Sequence, residues 1–454
     1  MVLVLSRGVA VLLHAVQEPH RAGRAGQGAL RRTPLGGHTA DRCRARRDRR
    51  GARVIRPGKP AGTDTAVTAT GIAHGRFSVD AIRALAALPV LIFHAYQYSR
   101  YGPDAAWPLD GVWHRILMAF PFGVDLFFVL SAFLLGLPYA RAALDSGPPR
   151  RARVVLLRRA ARLLPLYYIT VLLVWGFTNP TLPGDWRDLL LHLTFTHVYS
   201  DEKIFFSNGP AWSLAVEMHF YLLLVVIGTI AQRHVPRLES RRARLTALYG
   251  GIAALVVISN AYRCWAVYVA DAHYEQWSYW FNPLAKLDVF AIGLAFAVLI
   301  ADGRELRTKP ARCGVGLAGA GMIVAVALTQ PLGTPISTWW HPLFALAAML
   351  LIAASAISDA GSVPAVLRWR PLVWTGVISY SVYLWQEPML RLLDSAGLLP
   401  APGQPHTFPV AGVVLTAVSL LVAWISYWLV EQTGLKILAA FDREGRKRDY
   451  YAES

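Results

Sequence analysis

The chain carries a series of apolar runs, each long enough to cross a bilayer and separated from the next by a short polar segment. A hydrocarbon core of about 30 Å requires roughly 20 apolar residues in a helix. With 454 residues, 55% of them hydrophobic, and a mean hydropathy of +0.37, the sequence predicts an all-α polytopic membrane protein. We place about ten transmembrane helices at residues 79–99, 116–140, 163–179, 212–231, 248–269, 284–301, 314–330, 339–358, 373–395 and 409–431.

The short basic loops predict the orientation of these spans, because Lys and Arg collect in cytoplasmic loops. Segments 149–162, 233–244, 304–312 and 443–448 fall on one side only if both termini are cytoplasmic. The same rule makes residues 181–211 an external excursion that contains an interfacial or re-entrant helix with His192 and His197. The prediction is a multi-pass protein of the cell (plasma) membrane with the lipid bilayer as a partner.

The formal charge of +18 does not indicate a nucleic-acid partner, because residues 1–60 alone contribute +11 and the rest lies in short loops. Residues 1–75 are rich in Arg, Gly, Ala and Pro, and we predict a disordered extension. A signal peptide at residues 2–16 and a basic arm on anionic lipid are alternatives. The transmembrane domain is then 76–435, followed by a basic cytoplasmic tail, 436–454. The three cysteines, Cys43, Cys264 and Cys313, have no C-x-x-C spacing, so neither a disulfide framework nor a metal site is predicted.

Two ionisable residues lie in the first span, where each is costly. Arg83 and His94 are eleven residues apart, about three helical turns and roughly 16 Å, so they share one helix face. Arg83 is placed near the membrane surface and His94 near mid-depth. An ionisable side chain at that depth indicates a functional site. An imidazole, whose pKa is near neutrality, can accept and return a proton there.

Further polar residues in the spans admit both functional and structural interpretations. Asp125 and Asp288 could be hydrogen-bonding groups between helices, and Arg159 and Arg162 could serve only to orient the third span. Tyrosine and tryptophan near helix ends are commonly interface anchors. The residues concerned are Asp125 and Ser131 in the second span, Arg159 and Arg162 in the third, Trp212, Ser213 and Glu217 in the fourth, Asp288 in the sixth, and Tyr380, Tyr383, Trp385, Gln386 and Glu387 in the ninth.

Five strings, in this order, resemble the acyltransferase-3 family of integral membrane O-acyltransferases, over about residues 76–431. They are Arg83 with His94, Gly-Val-Asp-Leu-Phe-Phe-Val-Leu-Ser at 123–131, Arg159-x-x-Arg162 followed by Leu-Leu-Pro-Leu-Tyr, Trp-Ser-Leu-x-x-Glu at 212–217, and Ile-Ser-Tyr-Ser-Val-Tyr-Leu-Trp at 378–385. The chain departs from the family pattern at Ala132, where glycine is usual, and at Gln386, where histidine is usual. The second departure leaves hydrogen bonding to an amide but puts any proton role there in question.

The resemblance implies transfer of an acyl group, commonly acetyl, from cytoplasmic acyl-CoA to a hydroxyl of a sugar-containing acceptor. It implies acyl-CoA as cosubstrate with no bound cofactor. It also implies that Arg83 and His94 are essential and that Arg159 and Arg162 belong to the acyl-CoA site. The acceptor could be a cell-envelope polysaccharide, a glycolipid or a macrolide-like product, and nothing in the sequence chooses among them.

The chemistry of the residues agrees with this transfer. Guanidinium groups bind phosphate through forked hydrogen bonds, so Arg159 and Arg162 suit the phosphates of CoA. We predict that His94 acts as general base while Glu217 or Asp125 orients its ring or the acceptor. Arg83 guides the donor or stabilises the oxyanion, and an acyl-histidine intermediate remains open. The predicted acceptor-pocket residues are Ser131, Trp212, Ser213, Tyr380, Tyr383 and Gln386.

Two other functions fit a helical bundle with buried charges. One is a proton-coupled transporter or exporter, which should show an internal repeat with broken helices at matching positions. No such repeat is visible in the sequence. The other is a non-catalytic component of a surface-polymer assembly complex, which would neither bind nor turn over acyl-CoA.

Overall fold

The structure, a computed structural model, describes residues 79–304, 306, 308–356, 365–434 and 436. The predicted N-terminal extension, and the predicted tail apart from Lys436, lie outside the described residues. The described helices of eight residues or more are α1 (Val79–Tyr98), α2 (Gly111–Met118), α3 (Gly123–Ala143), α4 (Ala152–Thr178), α5 (Trp186–Leu193), α6 (Ala211–His234), α7 (Arg241–Tyr268), α8 (Leu287–Ala301), α9 (Lys309–Thr329), α10 (Trp340–Ala356), α11 (Arg370–Val377), α12 (Ser379–Ser395) and α13 (Thr407–Ser426).

Within the described residues, nine helical segments are long and apolar enough to cross a membrane. The predicted span that is not among these nine is the ninth, 373–395, which contains α12, a helix of 17 residues that carries Gln386, Glu387 and Arg391. This helix packs beside α1 and α13, and its Tyr380, Ser381 and Gln386 are buried. The prediction of an all-α polytopic membrane protein is confirmed, whereas the cytoplasmic placement of the termini stays a prediction. We call the end of the bundle where α3 leads into α4 the basic end, because residues 150–159 there include five arginines.

Glycines allow the central helices to approach one another closely. A Cβ on Gly293 of α8 would lie 2.3 Å from the carbonyl oxygen of Val129 on α3. A Cβ on Gly376 of α11 would meet the carbonyl of Asp80 on α1 even more closely. Membrane helices depend on such small residues because packing, rather than a hydrophobic driving force, holds them together.

Replacing Gly293 with alanine should therefore destabilise the bundle. The added methyl group would also lie 2.7 Å from the Cβ of Ala132, so α3 and α8 must separate, at a cost of about 1–3 kcal/mol. The matched control is Gly321→Ala in α9, where nothing lies within 4 Å of the new Cβ. The test is the unfolding temperature in detergent. Equal effects of the two substitutions would contradict the close α3–α8 contact.

Two helix boundaries differ from the prediction. The third span begins at Ala152 rather than residue 163, because the guanidinium groups of Arg159 and Arg162 face a cavity and the helix continues through them. The predicted ninth span, 373–395, is two helices, α11 and α12, that meet at Ile378. Hydropathy alone does not detect that break, since both sides of Ile378 are apolar.

Residues 179–210 form the non-spanning excursion that the sequence predicts. Its one helix of eight residues, α5, is too short to cross a membrane. Asp185 caps its N-terminus, where the side chain accepts a hydrogen bond from the Asp188 amide. The Lys203 ammonium, 2.8 Å from Asp185, lowers the pKa of that carboxyl. His192 and His197 are fully buried here with stacked rings, and burial lowers the pKa of His197 to about 3.

Candidate active site

A cavity of about 160 Å³ lies among α1, α3, α4, α6 and α12. It brings together eight of the twelve residues assigned to the predicted catalytic, acyl-CoA and acceptor sites, although they come from five separate helices. The eight are Arg83, Ser131, Arg159, Arg162, Ser213, Glu217, Tyr380 and Tyr383. The structure therefore collects most of the predicted site in one place inside the bundle.

Three guanidinium groups line this cavity. Arg83 lies within electrostatic range of Arg159 and Arg162, and its nearest carboxylate, on Asp80, is 4.0 Å away. The Arg83 side chain is only 16% exposed, so it is largely enclosed by the bundle, and its position near the membrane surface stays a prediction. Three carboxylates lie nearby: Glu217 lines the same cavity, and Asp80 and the buried Glu431 are within electrostatic range of Arg83. Guanidinium groups that converge on one space in this way can also bind the phosphates of a ligand.

The opposite wall carries hydrogen-bonded hydroxyl groups. Glu217 on α6 accepts a hydrogen bond from Ser131 Oγ at 2.5 Å and another from the Tyr221 hydroxyl. The guanidinium of Arg159 lies over the Tyr221 ring, 5.7 Å from its centre. Glu217 therefore connects α3 and α6 beneath the cations. The sequence analysis did not identify Tyr221, although it lies one turn after Glu217 on the same face.

The two predicted tyrosines play different parts in the cavity wall. The Tyr380 hydroxyl donates to the backbone carbonyl of Leu163 at 2.6 Å, which fastens α12 to α4. The Tyr383 hydroxyl hydrogen-bonds to Ser213 Oγ at 2.8 Å, and it lies within electrostatic range of Glu217 and Glu387. Tyr380 therefore holds helices together, while Tyr383 faces the polar interior.

His94 lies beyond the cavity, further along α1 and away from the basic end. The neighbouring groups on α12 are the side chains of Gln386, Glu387 and Arg391. Its Nδ1 is buried and has no hydrogen-bond partner among the described residues. The same holds for both amide atoms of Gln386, which is fully buried, and for Oε2 of Glu387. The imidazole thus faces the Gln386 amide and the Glu387 carboxylate, and it interacts electrostatically with both.

One face of α12 connects the cavity with His94. Tyr380, Tyr383 and Glu387 are spaced three and four residues apart, so they lie in one row along the helix. The first two line the cavity and the third neighbours His94. Since α1 runs beside α12, the row parallels the face of α1 that bears Arg83 and His94. A polar strip therefore runs from the guanidinium cluster to the imidazole.

Neither Asp125 nor Glu217 is among the groups beside the His94 imidazole, where orientation of its ring would place them, and orientation of the acceptor by either residue stays a prediction. Asp125 is 1% exposed and accepts a hydrogen bond from His341 Nδ1 at 2.6 Å. Glu217 is engaged by Ser131 and Tyr221. The carboxylate that neighbours His94 is Glu387, two residues beyond the string that carries the family resemblance. Sequence spacing could not show this, because the pairing depends on how α1 and α12 are aligned.

Asp125 belongs to a second buried charged cluster, between α3, α7, α8 and α10. Arg263 forms an ion pair with Asp288 and donates to the Thr338 carbonyl at 2.9 Å. Lys286 is also buried, near Asp125, Asp288 and Arg263. Asp288 is therefore part of a helix–helix ion pair, which is the structural interpretation left open above. Arg263, Lys286 and His341 were not identified from the sequence, because their partners are distant along the chain.

Removing the Asp288 carboxylate should strongly destabilise the protein. Asp288→Ala leaves Arg263 buried without its ion pair, at a cost of about 3–5 kcal/mol. The matched control is Asp145→Asn, which removes an ion pair with Arg244 that is largely solvent-exposed and contributes about 0–1 kcal/mol. Asparagine is used because residue 145 has a positive φ, a conformation that asparagine tolerates better than alanine does. Unfolding temperatures in detergent compare the two variants. A smaller loss for Asp288→Ala than for Asp145→Asn would contradict the structural role of this pair.

Trp212, the remaining predicted pocket residue, is packed rather than exposed to the cavity. Its ring stacks on Phe281, with centroids 3.7 Å apart, and meets the edge of Phe128. Phe128 lines the cavity, so Trp212 supports the cavity wall from behind. A direct contact with an acceptor, as predicted for Trp212, does not follow from this position.

Comparison with known proteins identifies relatives over most of the chain. A protein of Komagataeibacter xylinus named as a membrane-bound transacylase is 30% identical over 376 residues, which cover 79% of this chain and 83% of that protein. A Bacillus subtilis protein named as a peptidoglycan O-acetyltransferase is 25% identical over 79% of this chain. A Listeria monocytogenes peptidoglycan O-acetyltransferase is 23% identical over 78% of this chain.

The match covers only 55% of the Bacillus and of the Listeria protein, so this chain spans about half the length of those two relatives. No solved structure matches the chain. A family model described as an acyltransferase domain matches residues 76–428. That range contains α1 to α13, the guanidinium cluster and His94, so the chain belongs to the acyltransferase-3 family of membrane-bound acyltransferases.

Proposed function

We propose that the protein transfers an acyl group, in the first instance acetyl, from cytoplasmic acyl-CoA to a hydroxyl of a sugar-containing acceptor, with His94 as general base. One observation carries this proposal. Three guanidinium groups converge on a membrane-buried cavity, and the polar strip along α12 leads from that cavity to His94. A site for a phosphate-bearing donor is thereby connected to a group that can accept a proton.

The donor binds from the basic end. Arg159 and Arg162 lie one turn apart on α4, so both can point at the phosphates of one CoA molecule. Arg83 lies further along the route to His94 and faces the same space. The thioester arm, which is neutral, extends along Tyr383 toward the imidazole. The donor is oriented because its phosphates bind at the guanidinium groups while its acyl group lies at His94.

The chemical step is a direct transfer. The acceptor oxygen attacks the thioester carbonyl carbon and forms the new ester bond, while the bond between that carbon and the CoA sulfur breaks. The imidazole of His94 takes the proton from the acceptor hydroxyl and returns it to the departing thiolate. Glu217 keeps the Ser131 and Tyr221 hydroxyls oriented in the cavity wall. Arg83 stabilises the negative charge that develops on the carbonyl oxygen.

The acceptor is proposed to be a cell-envelope glycan. Two of the relatives are named for O-acetylation of peptidoglycan, a polymer with sugar hydroxyls. The excursion, residues 179–210, and the α12 end that bears Arg391 lie at the end of the bundle opposite the basic end. With the predicted orientation, donor and acceptor therefore reach His94 from opposite sides of the membrane.

The proposal is tested with the purified protein in lipid nanodiscs and acetyl-CoA labelled in the acetyl group. We expect saturable CoA release, with label passing to sugar acceptors in cell-envelope extracts or to water. A proton-coupled carrier would instead move substrate across vesicles without releasing CoA. Neither binding nor turnover of acetyl-CoA would contradict the proposal and favour a non-catalytic component of an assembly complex.

A further inference from the structure

The proposed function leaves unassigned the polar groups that surround His94 on the side away from the cations. Four buried atoms there have no hydrogen-bond partner within the described part of the chain: His94 Nδ1, Glu387 Oε2, and the oxygen and nitrogen of the Gln386 amide. A buried polar atom left without a partner costs about 1–3 kcal/mol. Four of them in one place indicate a site that a ligand completes.

The excursion closes over this site and is held there by specific contacts. Arg391 donates to the carbonyls of Phe205, at 3.0 Å, and of Phe206, at 2.9 Å, and it forms an ion pair with Glu387. Asn208 donates to the Leu384 carbonyl at 3.3 Å. That carbonyl has lost its helical partner, because Pro388 has no N–H to donate. The α12 proline thus provides the attachment point of the excursion.

Gly209 shapes the wall next to the carboxylate. A Cβ at this position would lie 2.0 Å from Glu387 Oε2, so only glycine leaves room for the carboxylate oxygen. The Glu387 side chain is 18% exposed and that of Arg391 is 42% exposed, which places an opening beside them. The site is therefore walled by the excursion and borders solvent at the end of α12, while the four atoms themselves are covered.

The hydrogen-bonding inventory defines the class of ligand. Glu387 Oε2 and the Gln386 oxygen accept, the Gln386 nitrogen donates, and His94 Nδ1 can do either according to its tautomer. Sugar hydroxyls both donate and accept. Of two adjacent hydroxyls, one can donate to His94 and the other to Glu387 Oε2, and either can accept from the Gln386 nitrogen, so three of the four atoms are satisfied. Because the Glu387 carboxylate is paired with Arg391, a neutral polyol fits the site without leaving an unpaired charge.

We propose that His94, Gln386 and Glu387 form the acceptor subsite, which binds two neighbouring hydroxyls of a neutral sugar ring. One hydroxyl lies against His94 and reacts. Glu387 accepts a hydrogen bond from the other and thereby fixes which oxygen faces the acyl carbon. The bond changes are those of the transfer described above, since this subsite only positions the acceptor. The inference rests on the proposed function and adds the acceptor class and the residues that recognise it.

The test uses methyl glycosides of glucose, galactose, mannose and N-acetylglucosamine as acceptors in nanodiscs, with labelled acetyl-CoA. Acetylated glycoside, free acetate and CoA release are measured together. We expect Glu387→Gln to raise the KM for the best glycoside by about tenfold to a hundredfold, as loss of a hydrogen bond to a charged group does. The KM for acetyl-CoA should change less than twofold, because the donor binds at the arginines.

Two further variants make the result decisive. Gln386→Leu should also raise the KM for the glycoside, and it leaves the charge of the site unchanged. With two variants, the test does not depend on the folding of either one. Asp394→Asn is the matched control, because this α12 carboxylate instead accepts from Tyr98 at 2.7 Å. The subsite is refuted if Glu387→Gln leaves the KM for the glycoside unchanged or raises the KM for acetyl-CoA by the same factor. It is also refuted if the wild-type protein hydrolyses acetyl-CoA without acetylating any glycoside. Failure of the proposed function is a different outcome, the absence of CoA release.

Discussion

His94→Ala is expected to reduce acyl transfer by about a hundredfold to ten-thousandfold, which is what a positioned general base contributes. Without the imidazole, the groups left beside the acceptor are the Gln386 amide, which is not a base, and the Glu387 carboxylate, which is proposed to bind the other hydroxyl. CoA binding should be retained, since the guanidinium cluster is untouched. The measurement is the rate of CoA release and of label transfer in nanodiscs, alongside the dissociation constant for CoA.

The control for this variant is His219→Ala, which replaces a histidine on α6 that lies outside the cavity and whose Nδ1 hydrogen-bonds to the Ala215 carbonyl, at 2.7 Å. It should keep near wild-type activity. Size-exclusion profiles must show both variants folded. Retention of full activity by folded His94→Ala protein would remove the imidazole from the mechanism.

Arg159→Gln combined with Arg162→Gln should produce the second large effect, on donor binding. Each guanidinium contributes about 1.5–3 kcal/mol to the binding free energy through charge-assisted hydrogen bonds. The double substitution should therefore weaken CoA binding by at least a hundredfold. Because the interaction is electrostatic, raising the salt concentration should weaken wild-type binding in the same direction. Isothermal titration with CoA, which lacks the acyl group, isolates the phosphate contribution.

The matched control is Arg153→Gln, on the same helix but exposed and outside the cavity. It removes a positive charge near the basic end without altering the guanidinium cluster, so CoA affinity should change less than threefold. An equal loss with Arg153→Gln would mean that general surface charge, rather than the cavity, attracts the donor.

The fold was predictable because the bilayer imposes simple rules. The lengths of the apolar runs in the sequence located nine membrane-spanning helices. The positive-inside rule indicated that the short helix α5 is not a further spanning helix, and its eight residues agree with this. The boundaries were less predictable where arginines or a break interrupt apolar sequence, as at Ala152 and Ile378. There the tertiary environment, a cavity or a neighbouring helix, decides whether the helix continues.

The site was predictable as a set of residues but not as a set of pairs. Five separate strings suggested the residues that line one cavity, Arg83 and Glu217 among them. Which carboxylate faces His94 depends on the alignment of α1 with α12, and this places Glu387 there and Asp125 against His341. Contacts between residues so distant along the chain leave no local signal in a single sequence.

The most direct test of the account is a structure of the wild-type protein with CoA bound in nanodiscs. We predict that the pyrophosphate lies between Arg159 and Arg162 and that the arm follows Tyr383, with the sulfur next to the His94 imidazole. A CoA molecule bound elsewhere on the bundle, or one whose sulfur points away from His94 with closed packing between them, would contradict the account.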